Sequence, residues 1–275
     1  MPTRNEPALS RVVVALDAAA DFGASIDVAA SVARSLEIGL HAMLVEDENL
    51  QRAAGLPFMQ AVDLSTARRA SLDLGAMQRE MGLIAARVRR LLENAAAEQA
   101  LKWSFEIRQG AIGAELAGLK QDELLALGLG SRPLVGMARM RSPWRPLAGS
   151  LRQPLLLIPE LPVTGGGVVA LHGHAGADRH VIETSIRIAR AWRKPLTVLM
   201  PATTASAEQA KLRDRLHDEL ADAKLRSIAA PSPEALRSFI ASAAVSLTVL
   251  CREYLSEDGD RESFLGAPPS PLLLL

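Results

Sequence analysis

RVVVALD (residues 11–17) and GGVVALH (residues 166–172) decide the fold. Each is a short β-branched run that closes on Ala-Leu and a polar residue. Such runs read as buried strands. A loop of small residues follows each one, and then an amphipathic helical pattern. The first helix carries Ile26, Ala29, Ala30, Ala33 and Leu36; the second carries Ile182, Ile186, Ala189 and Trp192.

The likeness continues outward from both stretches. A second apolar run follows at nearly the same distance, LHAMLV (40–45) or LTVLMP (196–201). A third run is WSFEIRQ (103–109) or LRSIAA (225–230), and a short helix follows, AIGAELAGLK (111–120) or SPEALRSFIAS (232–242). The fourth run is ELLALGLG (123–130) or VSLTVLC (245–251), and the fifth is GSLRQPLLLIP (149–159) or GAPPSPLLLL (266–275). Strands that alternate with helices predict parallel sheets covered on both faces. The sequence therefore predicts two tandem α/β domains, residues 1–160 and 161–275, joined by the Pro/Gly-rich connector ELPVTGGG (160–167). A long helix is expected from Ser65 to about Gln99, with Met77, Met81, Ile84, Val88, Leu91 and Leu92 as its core stripe.

Composition excludes several classes. Lys+Arg and Asp+Glu both number 31, so no net charge draws the whole chain to nucleic acid. Aromatic residues are 3%, too few for base-stacking platforms. No run reaches the length of a spanning helix, and MPTRNEPALS lacks the apolar centre of a secretory signal. A cytoplasmic protein without membrane or nucleic-acid partners is the expectation. The single cysteine, Cys251, sits in an apolar run and excludes an intramolecular disulfide. There is no P-loop and no Gly-x-Ser-x-Gly elbow.

RVVVALD ending in Asp17, HAMLVED at the second strand, LLALGLGSR at the fourth and GS before PLLLIP at the fifth together resemble the universal stress protein family, in its tandem form. The resemblance covers nearly the whole chain, once per half. It implies Rossmann-like five-stranded parallel sheets of order 3-2-1-4-5, and dimerisation, often through the fifth strand. In this chain the two domains would pair internally, and a homodimer is the other arrangement. ATP or AMP is the implied ligand, with adenosine held at Asp17 and near Val45. The phosphates would lie in a Gly-x2-Gly-x9-Gly-Ser/Thr loop.

Two alignments of that loop are open. Starting at Gly130-Ser131-Arg132 puts Pro133, which has no N–H, at the second glycine. Starting at Gly136 gives the family spacing to Gly149-Ser150 but puts Arg139 at the second glycine. Only three residues separate Ser150 from PLLLI, too few for the helix whose N-terminus would face phosphate. In the second half His172 is read as the counterpart of Asp17. The loop after the fourth strand there carries Glu257, Asp258, Asp260 and Glu262, which repel phosphate, and no helix is expected before the last strand. The expectation is a stress-response binding module with an eroded nucleotide site. The alternatives are an ATP- or AMP-binding first half with at most slow hydrolysis, no general base being evident, and a metal sensor built on His172, His174 and His180.

Overall fold

The computed structural model describes residues 9–17, 22–48, 52, 60–62, 69–71, 74–130, 151–162, 165–173, 178–229, 232–255 and 261–275. The first half holds β1 (Arg11–Asp17), α1 (Phe22–Ser35), β2 (Gly39–Asp47), β3 (Gln60–Val62), β4 (Arg69–Ser71), α2 (Leu74–Gln99), β5 (Trp103–Gly110), α3 (Ile112–Ala117), β6 (Glu123–Gly128) and β7 (Leu155–Ile158). The second holds β8 (Gly167–Leu171), α4 (Asp178–Trp192), β9 (Leu196–Pro201), α5 (Ser206–Glu219), β10 (Lys224–Ile228), α6 (Pro233–Ser242), β11 (Val245–Leu250), α7 (Arg261–Gly266) and β12 (Leu272–Leu274).

Ten of these strands form one sheet in the order β10-β9-β8-β11-β12-β7-β6-β1-β2-β5. Each half contributes five parallel strands in the order 3-2-1-4-5 when the main-sheet strands are counted within it. The halves meet where β12 runs antiparallel to β7, with Leu272 opposite Leu157 and Leu274 opposite Leu155. Neither fifth strand is an edge, and all residues of both are buried.

Strand side chains alternate between two layers. Val12, Val14, Leu16, Ala42 and Leu44, with Val168, Ala170, Val198 and Met200, face α1, α2, α4 and α5. Val13, Ala15, Met43, Val45 and Leu127, with Val169, Leu171, Leu199 and Leu250, face α3, α6 and α7. Ala29, Ala30 and Ala33 of α1 are buried. Their small side chains fit the crowded centre of the first layer, where α1 packs on both α2 and α4.

Two polar contacts cross the same seam on that layer. Arg187 Nη2 donates to Leu36 O at 2.8 Å, and Trp192 Nε1 to Ser31 O at 3.4 Å. The other layer has its own bond. The Arg252 guanidinium, just after β11, donates to the carbonyls of Leu151 and Gln153 just before β7.

Three elements depart from the sequence reading. The helix expected from Ser65 begins at Leu74, and residues 60–62 and 69–71 form a small antiparallel pair instead. Ala- and Arg-rich composition suits helix, but it does not fix where one starts. A short helix, α7, does precede the last strand of the second half; it buries Phe264 and Leu265. Six residues are enough once packing supplies their stability.

The third departure is the register of the repeat. A non-glycine residue of positive φ follows both α1 and α4, Glu37 at 57° and Arg193 at 53°. Each lies three residues before a strand leucine, Leu40 or Leu196, and these pair with Val12 and Val168. Val12 thus matches Val168, Leu16 matches His172, and Asp17 matches Gly173. The sequence alignment was one residue out, because like-looking valines hide which face each side chain takes.

Candidate functional site

In an open parallel sheet, ligands bind at the carboxyl ends of the strands beside the point where the strand order reverses. In the first half that point lies at the ends of β1, β2 and β6. Asp17 closes β1 and stands directly opposite Val45 in the ladder. The backbone of Asp17 is described, its side chain is not. The Val45 side chain is buried in the layer beneath α3. Contact of Val45 with a ligand at this end would therefore come through its backbone.

Gly130 follows β6 and is buried. A Cβ there would lie 3.3 Å from both Cα and Cγ of Glu160. The chain leaving β7 passes over this glycine, so close approach of two backbones accounts for it without a ligand. Ser131, Arg132, Gly136, Arg139, Gly149 and Ser150 lie outside the described residues.

In the second half the position of Asp17 is occupied by Gly173, which has no side chain to hold a ribose. His172 turns toward α5 instead, and its Nε2 lies 3.2 Å from Glu208 Oε1 in the first turn of that helix. His180 lies in the first turn of α4, and His174 is outside the described residues. Among the described residues no three His, Cys, Asp or Glu side chains gather in a metal-binding group. A cleft of about 450 Å³ lies elsewhere, between α5 and β10, lined by Arg213, Asp214, Leu216, His217, Ala223 and Leu225. Among the described residues no helix is long and apolar enough to cross a membrane.

A polar constellation that the sequence reading missed lies on β2 and β5. His41 is 5% exposed in a strand that is otherwise apolar through Val45. Its Nδ1 is 2.8 Å from Ser104 Oγ, and its Nε2 is 3.0 Å from Glu106 Oε1. Arg108 Nε holds the same carboxylate at 2.7 Å, and Arg108 Nη1 reaches Glu115 of α3 at 3.2 Å. Desolvation pushes the Glu106 carboxyl up, but the hydrogen bond from His41 and the charge of Arg108 outweigh it and hold the group below its ordinary value. Period two was the available signal: Ser104, Glu106 and Arg108 alternate with Trp103, Phe105 and Ile107.

Cys251 is buried and its thiol is pushed up to about 12, chiefly by desolvation and further by the Glu253 carboxylate. It behaves as a small core residue.

No family model matches the sequence, and no curated protein matches it significantly. Solved structures do. A universal stress protein from Archaeoglobus fulgidus DSM 4304 superposes with a TM-score of 0.61 at 9% identity, over 97% of each chain. A protein from Pseudomonas aeruginosa UCBPP-PA14, provisionally named a universal stress protein, gives 0.55 at 15% identity, over 98% of this chain and 93% of that one. A functionally unknown protein from Pseudomonas aeruginosa PAO1 gives 0.52 at 16% identity, over 96% and 92%. The fold of this chain is the universal stress protein fold, carried along its whole length.

Proposed function

We propose that this chain, with a fold shared by universal stress proteins, is a stress-response binding module whose first-half nucleotide site is eroded and whose second half has none. One observation carries the reading: the glycine that opens the first phosphate-loop alignment is covered by Glu160. Its tight packing is explained by the chain leaving β7, and the covering residue is an acid, which disfavours a phosphate nearby. The replacement of Asp17 by Gly173 in the second half supports the same conclusion there.

A second reading rests on the pairing of Asp17 with Val45 at the carboxyl end of the first half. It keeps ATP or AMP as ligand there, with the arginines of the 131–150 segment on the phosphates. Thermal unfolding with millimolar ATP or AMP separates the two. Ligand at 100 times its dissociation constant adds about 2.7 kcal/mol to stability. The eroded site predicts an unchanged melting temperature; a rise that disappears in Asp17→Ala replaces it with the second reading.

A further inference from the structure

We propose that Ser104, His41 and Glu106 form a nucleophilic constellation, with Ser104 as an acyl-accepting hydroxyl for small activated carboxylic esters. The geometry has the three parts that activation of a serine requires: a hydroxyl, a base within hydrogen-bond reach, and a third group that orients the base. Ser104 Oγ lies 2.8 Å from His41 Nδ1, and Glu106 Oε1 lies 3.0 Å from His41 Nε2. A carboxylate only accepts, so the proton of a neutral imidazole sits on Nε2 and leaves Nδ1 free to take the serine proton. The ring is buried and pinned from both sides, whereas Ser104 is exposed. Arg108 Nε holds the same Glu106 oxygen, Oε1, that His41 contacts, and Glu115 in turn holds Arg108.

The edge position supplies a donor for the oxygen that gains charge. Among the described residues β5 pairs only with β2, and Leu40 donates its N–H to Lys102 O at 2.9 Å. In a parallel ladder this turns the even-numbered peptide groups of β5 toward β2 and the odd-numbered ones off the edge. The N–H of Phe105, next to the nucleophile, therefore points away from the sheet, where it can meet an oxyanion.

The repeat is an internal control. With Leu40 matched to Leu196, His41 corresponds to Thr197, Ser104 to Lys224 and Glu106 to Arg226. The second half makes the same strand pair without the constellation, so the topology does not demand a buried histidine there.

In the reaction, Ser104 Oγ bonds to the ester carbonyl carbon while its proton passes to His41 Nδ1. The ester C–O bond then breaks, the imidazolium returns the proton to the departing oxygen, and an acyl-Ser104 ester remains. Water repeats the sequence and releases the carboxylic acid.

The test uses the full chain with p-nitrophenyl acetate, following p-nitrophenolate release and locating the acetyl group by peptide mass spectrometry. The expected result is acetyl on Ser104, its rate of formation reduced about a hundredfold in Glu106→Gln and in His41→Gln. Ser104→Ala, an exposed change whose circular dichroism should match the parent's, should remove the acetylated peptide. Acetyl spread over lysines, or release at the same rate in Ser104→Ala, overturns the proposal. If His41→Gln does not fold, Glu106→Gln and Ser104→Ala decide it.

Discussion

Single residues set tight constraints in this molecule, and among the described glycines Gly166 is the tightest. A Cβ at Gly166 would lie 1.9 Å from the carbonyl oxygen of Ala244. The close approach has a purpose: Gly166 N–H donates to Ser246 Oγ at 3.0 Å, and the same hydroxyl donates back to Gly166 O at 2.9 Å. Ser246 lies where the β11–β8 register shifts, so this pair secures an irregular start to the ladder. Gly166→Ala should cost about 3 kcal/mol, because two backbones must separate. Urea unfolding of the variant measures it; a loss below 1 kcal/mol, on the order of an ordinary surface change, would mean that the strand start yields easily.

At the scale of elements, much of the fold was legible in the sequence because its strands are apolar runs and its helices have one apolar stripe. Val12–Leu16, and Ile26, Ala29, Ala30, Ala33 and Leu36 of the first helical stripe, are buried as their spacing implies. What escaped lay where local pattern carries no information about neighbours. The register of β8 depends on which face each valine takes, and that is set by partners far along the chain. His41 met Ser104 and Glu106 only because β2 and β5, some sixty positions apart, are adjacent. The packing of Glu160 on Gly130 gives that glycine a structural cause that its place in the sequence does not show.

Helix ends give a prediction at this scale. Arg193 adopts φ 53° with Lys194 N bonded to Ala189 O at 3.0 Å, a left-handed cap of the kind glycine fills without strain. Arg193→Gly should stabilise the protein by up to about 1 kcal/mol, since the left-handed conformation costs other residues roughly that much. A denaturation midpoint that falls in the variant would show that the Arg193 side chain outweighs the strain.

Among the described residues, the halves are tied together by the β7–β12 ladder, the α1–α4 packing with the Arg187 and Trp192 bonds, and the Arg252 bonds. Chains of two domains often unfold in steps. Here the seam is made of fully buried strands, and separating the halves would uncover both. A single urea transition is therefore expected. Trp103 fluorescence, read in a variant with Trp144 changed to Phe, is weighted to the first half and far-UV circular dichroism follows the whole chain, so the two should give superimposable curves. Separated midpoints would identify two independent units.

The antiparallel meeting of β7 with β12 also turns the two halves in opposite directions while leaving α1, α2, α4 and α5 on one face. The carboxyl ends of the first five strands thus open at one end of the sheet, and those of the second five at the other. No small molecule can touch both mouths at once. Each mouth therefore meets its own surroundings, and a ligand or partner at one leaves the other open.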